Sequence, residues 1–434
     1  DGIDMLLAAL YDKGRYLAMA KPMRLLRDGS AVIVECEINP GPQVMLGDIR
    51  LAGLRRTSES FVRRYLAYDD SAMITPALLS SLDASAIAIE AVRYRPPLKV
   101  VPRPGFMTAD LEMEFVEKAQ VRVEGVAGYS PDDDVGMLWS LDAQLHNLFG
   151  GGRQILVNSQ RRERRRNILD IAYRQPLFLI RTGTLGFRLR TRDYRDEFYE
   201  FGVDGSYRIQ FTPGFSLGLT TGYKTVRPAT NLTSYTRLSL GFLLERRHVD
   251  LPLNPSRGYT IDWSIQFLHR QYDDAVTDIP PGENAVDETR TRLLLGYYVP
   301  LVGSFVSYLS VSYEGLETSE QAVPLSEQVL IGGPLSLRGY RTDRFPAVRA
   351  AWGTVEPRFR FSSGYMFAFY DAAYLNNRLG DVLDIARTIE DYRDSYGIGM
   401  SLVDDVRQVV ISLGWQREAH FDQPRLSLRI VSRI

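Results

Sequence analysis

The chain has 434 residues, with 52 basic and 53 acidic side chains. This near balance argues against a nucleic-acid-binding protein that depends on bulk positive charge. The single cysteine, Cys36, excludes an intrachain disulfide and a cysteine-based zinc site. We find no apolar run near the roughly 18 residues that a membrane-spanning helix requires. Because the chain starts at Asp1 and not at Met, we interpret it as a processed or truncated piece, and its lack of a signal peptide says nothing about its compartment.

Arginine, tyrosine and glycine stand out in the finer composition. All but five of the 52 basic residues are arginine, and there are 24 tyrosines and 35 glycines. This composition is typical of many β-strands whose two faces meet different solvents, and it suits a helical enzyme poorly. The pattern along the chain changes near residue 120.

Residues 1–42 predict part of a small α+β module. Apolar side chains recur at helical spacing over residues 4–16. Residues 19–27 and 31–38 are predicted to be two strands, and the Asp28-Gly29 pair between them is a hairpin signal. We interpret this segment as the C-terminal part of a module that is cut at its front.

Residues 43–119 predict one complete module. A strand at 44–51 is followed by a helix that starts at 57–60 and by a second helix that Thr75-Pro76 opens and Pro96-Pro97 ends. Strands at 98–102 and 108–116 complete the order β-α-α-β-β. Two small α+β domains of any other kind would give the same pattern. In either case an exposed strand edge could accept an extended peptide by strand addition.

Residues 120–434 predict strand after strand. Apolar and polar side chains alternate, as where Leu185 and Phe187 lie on the opposite face from Arg188 and Arg190. No segment covers so many apolar faces in water, whereas a closed barrel in lipid places lipid outside and arginine inside. We therefore predict an all-β transmembrane barrel of 16 antiparallel strands, and the alternative is a soluble multi-sheet protein. The predicted strands begin near Gln120, Met137, Arg153, Asn167, Thr182, Glu197, Gly214, Thr233, Gly258, Glu288, Ser304, Arg349, Gly364, Tyr392, Asp405 and Asp422.

Several short motifs in this region resemble those of one family. Residues 332–340 end in Leu-Arg-Gly-Tyr, which resembles the (V/L)RG(F/Y) loop motif of the BamA/TamA superfamily of outer-membrane assembly factors. Residues 147–152 resemble the family's first periplasmic turn, and residues 255–259 resemble its P-x-x-G entry into a middle strand. Residues 369–372 resemble its FxDAG strand, with Ala373 in place of the usual glycine.

The order of these motifs makes the resemblance extend over the whole chain, and residues 43–119 resemble a POTRA module. The short barrel favours the TamA branch over BamA, whose outer loops are usually longer. The final residue, Ile434, departs from the terminal aromatic residue that is typical of outer-membrane strands.

The resemblance also implies a role for the loop arginine. In the family this arginine folds back into the lumen and pairs with acidic residues on neighbouring strands. Here Arg338, which is followed by Gly339 and Tyr340, would pair with Glu356 and Asp371. The planar guanidinium group suits the role because it forms bidentate hydrogen bonds with carboxylates. Such a contact would hold a loop that is otherwise mobile. The alternative is an unpaired extracellular arginine.

Strand alternation supports this pairing for one carboxylate and less for the other. Glu356 alternates with apolar neighbours and should face inward. Asp371 lies on the same face of its strand as Phe367 and Phe369. An inward Asp371 therefore requires either a bulge or an aromatic lumen.

Other motifs give no support for catalysis, a metal or a cofactor. Residues 214–218 match the G-x-S-x-G pattern of hydrolases, but no helix pattern follows, so we expect no enzyme activity. The 4 histidines are scattered, and we expect no metal or cofactor. The arginine-rich residues 161–166 resemble a nucleic-acid-binding patch, but by strand count they would lie at the outer rim of the barrel. There they either contact lipopolysaccharide phosphates or form a solvated loop. We therefore expect no nucleic-acid partner.

The resemblance implies a non-enzymatic insertase or translocase in the bacterial outer membrane, with its N-terminal modules in the periplasm. Its expected partners are unfolded outer-membrane protein clients, lipid and lipopolysaccharide, and a periplasmic or inner-membrane accessory subunit that is TamB-like or Bam-lipoprotein-like. The alternatives are a polypeptide secretion pore of the two-partner type and a passive channel.

A lateral gate between the first and last strands is the predicted working part. Glycines weaken the first strand, and the last strand starts at Pro424, which donates no backbone hydrogen bond. A weakly closed seam exposes backbone groups that could template a client strand. The predicted gate residues are Val121, Val123, Gly125, Gly128, Leu426, Leu428 and Ile430.

Overall fold

The computed structural model divides into two compact units. The described residues are 2–28, 31–69, 71–105, 107–130, 136–163, 166–229, 233–251, 253–273, 284–320, 323–379, 387–403, 407–417 and 424–432. The first unit comprises residues 1–123, 143–155 and 175–181, and the second unit comprises residues 124–142, 156–174 and 182–434. Among the described residues, no helix is long and apolar enough to span a bilayer.

The first unit begins with a helix and a hairpin. Helix α1 is Gly2–Asp12, β1 is Met19–Asp28 and β2 is Ala31–Asn39. The two strands pair in antiparallel register. The helix and the hairpin that the first 42 residues predict are both present.

The next part of the first unit has the predicted order β-α-α-β-β. Its elements are β3 (Met45–Ala52), α2 (Glu59–Leu66), α3 (Pro76–Ile87), β4 (Val92–Pro102) and β5 (Thr108–Glu117). The strand order in the sheet is β3-β5-β4. Strand β3 is parallel to β5, and β4 is antiparallel to β5.

Apolar side chains of the two helices and the sheet form one core. Val62 of α2 and Leu82 of α3 are buried in the same cluster as Leu111 of β5. The N-terminus of α3 is capped by the Thr75 side chain, whose Oγ1 accepts a hydrogen bond from the Leu78 N–H at 3.2 Å. The local sequence signals for this helix therefore agree with its packing.

The prediction that Pro96-Pro97 ends the second helix was wrong. Helix α3 already ends at Ile87, and the two prolines lie inside β4. The pairing of β4 with β5 is irregular between Arg95 and Lys99. Proline has no backbone N–H to donate, so it is tolerated where a ladder is interrupted in this way.

Sixteen strands between residues 121 and 432 form one antiparallel sheet. These strands are β6 (Val121–Ser130), β7 (Gly136–Leu148), β8 (Arg153–Glu163), β9 (Arg166–Pro176), β10 (Gly183–Tyr194), β11 (Phe198–Thr212), β12 (Phe215–Pro228), β13 (Tyr235–Val249), β14 (Gly258–Tyr272), β15 (Ala285–Pro300), β16 (Phe305–Glu317), β19 (Arg349–Phe361), β20 (Gly364–Leu379), β21 (Arg387–Val403), β22 (Arg407–Gln416) and β23 (Arg425–Ser432). The strand order runs without a crossover from β23 at one end to β6 at the other.

Each predicted strand start lies within a few residues of an observed one, so the prediction of 16 strands is confirmed. The connections differ greatly in length. Residues 213–214 join β11 to β12, whereas residues 318–348 join β16 to β19. That long connection contains a 3₁₀ turn, Leu325–Glu327, and the short pair β17 (Val329–Ile331) and β18 (Phe345–Ala347).

The two faces of this sheet reverse the pattern of a water-soluble protein. On β13, Leu238, Leu240 and Phe242 are exposed, whereas Ser239 between them is buried. The buried residues of the second unit include charged ones such as Arg270, which is 0% exposed. This pattern, with apolar side chains exposed and ionic side chains buried, is expected of a sheet whose outer face contacts lipid.

Candidate functional site

The connection at residues 318–348, called the long loop from here on, carries three charged side chains that are withdrawn from solvent. Glu320 and Glu327 are 2% and 0% exposed, and the Arg338 side chain is 13% exposed. Buried charges persist in proteins when they are paired and hydrogen-bonded. Each of the three contacts a different group of strand residues.

Arg338 lies between the two carboxylates that the loop motif implies. Its Nε and Nη2 donate hydrogen bonds to the two Asp371 oxygens at 2.8 and 2.7 Å. Its Nη1 donates to Glu356 at 2.7 Å, and its Nη2 also donates to the Thr354 hydroxyl at 2.7 Å. The backbone N–H of Arg338 donates to Asp371 at 3.0 Å. The guanidinium group thus links the long loop to β19 and β20.

An aromatic wall accounts for the inward position of Asp371. Phe367, Phe369 and Asp371 are all buried on the same face of β20. The guanidinium carbon of Arg338 lies 3.6 Å from the centroid of the Phe369 ring and 5.7 Å from that of Phe367. The sequence analysis left a bulge or an aromatic lumen as explanations for an inward Asp371. The structure shows aromatic side chains on the same buried face as Asp371.

A second arginine extends this arrangement along the sheet. Arg358 Nε donates a hydrogen bond at 2.8 Å to Oε1 of Glu356, the carboxylate oxygen that does not accept from Arg338. Its guanidinium carbon lies 4.6 and 4.3 Å from the ring centroids of Tyr308 and Tyr365. Glu356 therefore pairs with one arginine from the long loop and with one from its own strand.

Gly339 and Tyr340 bring the long loop against β21 and β22. Gly339 has a φ of +93°. A Cβ atom at this position would lie 3.0 Å from the carbonyl carbon of Trp415. The Gly339 carbonyl accepts a hydrogen bond from Gln416 at 3.1 Å, and the Tyr340 hydroxyl donates to the Asp394 carbonyl at 3.1 Å. The motif glycine is thus required by both conformation and space.

Glu327, which the sequence analysis missed, lies in the 3₁₀ turn of the long loop, among cations from three strands. Lys224 Nζ is 2.6 Å from Oε1, Arg290 Nη2 is 3.2 Å from Oε2, and Arg237 also pairs with Oε2. The Tyr235 hydroxyl donates a further hydrogen bond to Oε1 at 2.8 Å. These partners belong to β12, β13 and β15.

Glu320, which was also missed, is the third buried charge of the long loop and pairs with Arg270. Arg270 Nη2 lies 2.5 Å from Glu320 and also pairs with Glu288 of β15. The Tyr272 hydroxyl donates to the second oxygen of Glu320. A loop has no periodicity that shows which side chains point inward, so the only available signal was the presence of acidic residues opposite arginine-bearing strands.

The predicted gate residues lie on the two strands that end the strand order. Val121 and Val123 of β6 are exposed, as are Leu426 and Leu428 of β23. A Cβ atom at Gly125 would lie 3.5 Å from the side chain of Leu141, so that glycine is not forced by a close contact.

Two predicted gate residues are described in part. Gly128 belongs to β6, and Ile430 pairs with Val409 of β22. The surroundings of Gly128 and the side chain of Ile430 lie outside the described residues. Their role in a gate stays a prediction.

The segments set aside in the sequence analysis lie on strands at residues 215–218, 161–163 and 166. Phe215 starts β12, so the G-x-S-x-G pattern does not form a strand-turn-helix element. The Arg161 guanidinium lies 5.2 Å from the Trp139 ring centroid. Arg164 and Arg165 lie outside the described residues, and the contact with lipopolysaccharide stays a prediction.

Comparison with known proteins identifies the family and the fold. BamA from Neisseria meningitidis is 24% identical over 216 residues, which are 49% of this chain and 25% of that protein. The BamA structure from Haemophilus ducreyi lacking POTRA domains 1–3 aligns with a TM-score of 0.64 at 15% identity, covering 99% of this chain and 92% of that one. CdiB from Escherichia coli aligns with a TM-score of 0.57 at 12% identity, covering 98% and 82%.

These comparisons show a transmembrane β-barrel of 16 antiparallel strands, as the sequence predicts. They support an outer-membrane location. They do not separate the TamA branch from its relatives, so that assignment stays a prediction. The aligned part spans a quarter of the length of the curated BamA relative. Residues 147–418 match the Omp85 superfamily domain, and the chain belongs to that superfamily.

Proposed function

We propose that this protein inserts β-barrel or autotransporter clients into the outer membrane through a seam between β6 and β23. The observation that carries the proposal is the strand order, in which these two strands occupy the ends of the 16-stranded sheet. Membership of the Omp85 superfamily and the likeness to BamA support the same activity.

Strand length favours opening at this seam. Among the described residues, β23 has 8 residues and β6 has 10, the same number as β22 beside β23, whereas β13, β14 and β15 have 15, 15 and 16. Shorter strands form fewer ladder hydrogen bonds, so pairing across the seam is weaker than pairing between long neighbours. Backbone N–H and C=O groups freed at an opened edge can pair with an added client strand.

The outer face of the end strands suits a path into lipid. Val121, Val123, Leu426 and Leu428 present apolar side chains to the surroundings. A client strand added at this edge would therefore enter hydrocarbon with its own apolar face outward. No nucleotide hydrolysis is required in this mechanism, because binding and deformation of the membrane supply the work.

The proposed setting follows from strand parity. With an even number of antiparallel strands, the start of β6 and the end of β23 lie on the same side of the membrane. We place that side, with the modules at 1–42 and 43–119, in the periplasm. The proposed partners are unfolded outer-membrane proteins, a TamB-like or Bam-lipoprotein-like accessory subunit, and lipid with lipopolysaccharide.

A polypeptide secretion pore of the two-partner type is the second candidate. The observation that favours it is the ionic interior of the second unit, where buried residues such as Glu200, Lys224 and Glu314 would suit the passage of an unfolded chain. Secretion would require the long loop to leave the interior, whereas insertion at the seam would not.

Reconstitution distinguishes the two functions. The protein is placed in lipid vesicles, and a urea-unfolded barrel client is added outside under conditions where it does not insert by itself. Insertion predicts a protease-resistant, heat-modifiable client in the bilayer. Transfer of a soluble β-helical polypeptide into the vesicle interior, without client insertion, would overturn the insertase proposal in favour of secretion.

A further inference from the structure

Glu327 holds the long loop 11 positions before Arg338, through strand residues that Arg338 does not contact. The Glu327 carboxylate is 0% exposed and lies within 3.2 Å of Lys224 and Arg290 nitrogens, with Arg237 as a third cationic partner. The Tyr235 hydroxyl donates to the same carboxylate at 2.8 Å. A carboxylate with four hydrogen-bonding partners is well compensated for its loss of water.

Backbone contacts hold the same 3₁₀ turn in place. Arg290 Nη2 donates to the Glu327 carbonyl at 2.6 Å, and Arg192 Nη2 donates to the Ser326 carbonyl at 3.1 Å. The Ser326 and Tyr235 hydroxyls lie 2.6 Å apart. The turn is therefore fixed by its main chain as well as by its charge.

We propose that Glu327 is a positioning residue that anchors the upstream half of the long loop, independently of Arg338. The partners of Glu327 lie on β12, β13 and β15, whereas those of Arg338 lie on β19 and β20. The two anchors share no partner residue among these contacts. Groups without shared partners contribute nearly additively, so loss of one anchor leaves the other in place.

Charge balance explains why a carboxylate is needed at this position. The cations around Glu327 are Lys224, Arg237 and Arg290. Among the described residues, the ion pairs that these three cations would keep without Glu327 are Lys224 with Glu200 and Arg290 with Glu314. Removing one member of a buried ionic group leaves uncompensated charge and is strongly destabilising. Release of the upstream half of the loop therefore has a cost separate from that of opening the arginine contact. This inference does not depend on the proposed activity.

Thiol labelling of the folded protein tests the two anchors separately. Buried positions on each half of the loop supply the probes: Val323→Cys upstream and Leu337→Cys downstream, each in a Cys36→Ser background. Glu327→Gln is expected to raise the maleimide labelling rate at position 323 by about tenfold or more and to leave position 337 within about twofold. Arg338→Gln should give the opposite pattern.

Three further variants make the test decisive. Glu327→Asp, which keeps the carboxylate, should restore most of the protection at position 323. Glu317→Gln removes an exposed ion pair with Arg349 at the loop base and should change neither probe. If Glu327→Gln does not assemble, Tyr235→Phe removes two hydroxyl contacts to the turn without unbalancing charge and should raise labelling about threefold.

Two results would overturn the inference. One is an unchanged labelling rate at position 323 in Glu327→Gln. If Glu327→Gln does not assemble, an unchanged rate at that position in Tyr235→Phe has the same meaning. The other is equal labelling of both probes in each single variant, because that pattern would mean that the loop is released as one cooperative unit.

Discussion

The guanidinium carbon of Arg338 lies 3.6 Å from the centroid of the Phe369 ring, close enough for a strong cation–π contact. The same guanidinium group is bonded to Asp371, two residues further along the face of β20 that carries Phe369. Aromatic and acidic side chains therefore act together on one strand face. The ring shields the ion pair from water, and the carboxylate fixes the orientation of the guanidinium plane.

Replacing Phe369 should weaken this contact without removing any charge. Phe369→Leu is expected to destabilise the folded barrel by about 0.5–2 kcal/mol, because the cation–π attraction is lost while apolar volume is largely kept. Urea unfolding in lipid vesicles, followed by tryptophan fluorescence, measures the change. Phe359→Leu on the exposed face of β19 is the matched control. Equal destabilisation by the two variants would contradict the assigned role of the ring.

Gly339→Ala should disturb the loop more than a glycine replacement that meets no neighbour. The new Cβ would lie 3.0 Å from the Trp415 carbonyl carbon at a φ of +93°. Backbone strain of about 1–2 kcal/mol is expected together with a steric term, giving about 3 kcal/mol in total. The yield of heat-modifiable folded protein after refolding is the measurement.

Gly303→Ala is the control for that prediction. Gly303 has a φ of +59° in the turn before β16, and a Cβ atom added there would meet no other atom within 4 Å. Only a modest backbone cost of about 1 kcal/mol is expected at this position. If Gly303→Ala lowers the yield as much as Gly339→Ala, close packing of the motif against β22 is not the reason for the glycine.

Acidification should loosen the loop that precedes α2 in the first unit. Glu117 Oε1 accepts hydrogen bonds from the backbone N–H groups of Arg55, Arg56 and Thr57 at 3.1, 3.0 and 2.9 Å. Burial raises the pKa of the Glu117 carboxyl, but these hydrogen bonds outweigh burial and hold the pKa below its usual value. The carboxylate therefore stabilises the folded unit above the unfolded pKa, and this stabilisation is lost as the pH falls through the lower folded pKa.

Hydrogen exchange measures this pH dependence. Protection of the amides of residues 55–57, corrected for intrinsic exchange, should fall as the pH is lowered from about 5 to about 3. In Glu117→Gln, protection should be lower at neutral pH and nearly independent of pH over that range. A pH dependence that survives this substitution would assign the effect to another carboxylate.

Much of the fold and part of the site could be predicted because they rest on local patterns. Period-2 alternation placed the strands, and the Thr75-Pro76 pair placed the start of α3. The Arg338 contacts followed from a resemblance to a family motif. The Pro96-Pro97 pair was wrongly predicted to end a helix. The two prolines lie inside β4 because its pairing with β5 is irregular at this point, and that pairing cannot be read from the local sequence.

The contacts of Glu327 show where sequence reasoning ends. Its partner Lys224 is 103 positions earlier in the chain, and residues 325–327 carry no periodic pattern that predicts an inward side chain. The position of a buried charge in a loop depends on where the loop enters the interior. That path is set by packing of residues such as Val329 and Ile331 and not by local propensity.

An arginine on the outer face of a middle strand tests the assignment of that face to lipid. Leu240 is 56% exposed on β13, so a water-soluble protein would tolerate Leu240→Arg. Contact with hydrocarbon predicts destabilisation of about 2–4 kcal/mol if the residue lies near the bilayer midplane. Refolding into vesicles across a urea series measures the loss. Leu335→Arg in the long loop is the control, and a small effect of both variants would argue against a lipid-facing sheet.

The seam between β6 and β23 is tested most directly by locking it. Cysteine pairs with one member at 121–125 and the other at 426–430 are screened in a Cys36→Ser background for disulfide formation. Client insertion by the best pair is then compared in oxidised and reduced protein. The control is Leu240→Cys with Phe267→Cys, which lie opposite each other on β13 and β14. We predict that oxidation abolishes client insertion for the seam pair, that reduction restores it, and that the control pair is unaffected. Undiminished insertion by fully cross-linked seam protein would contradict the proposed gate.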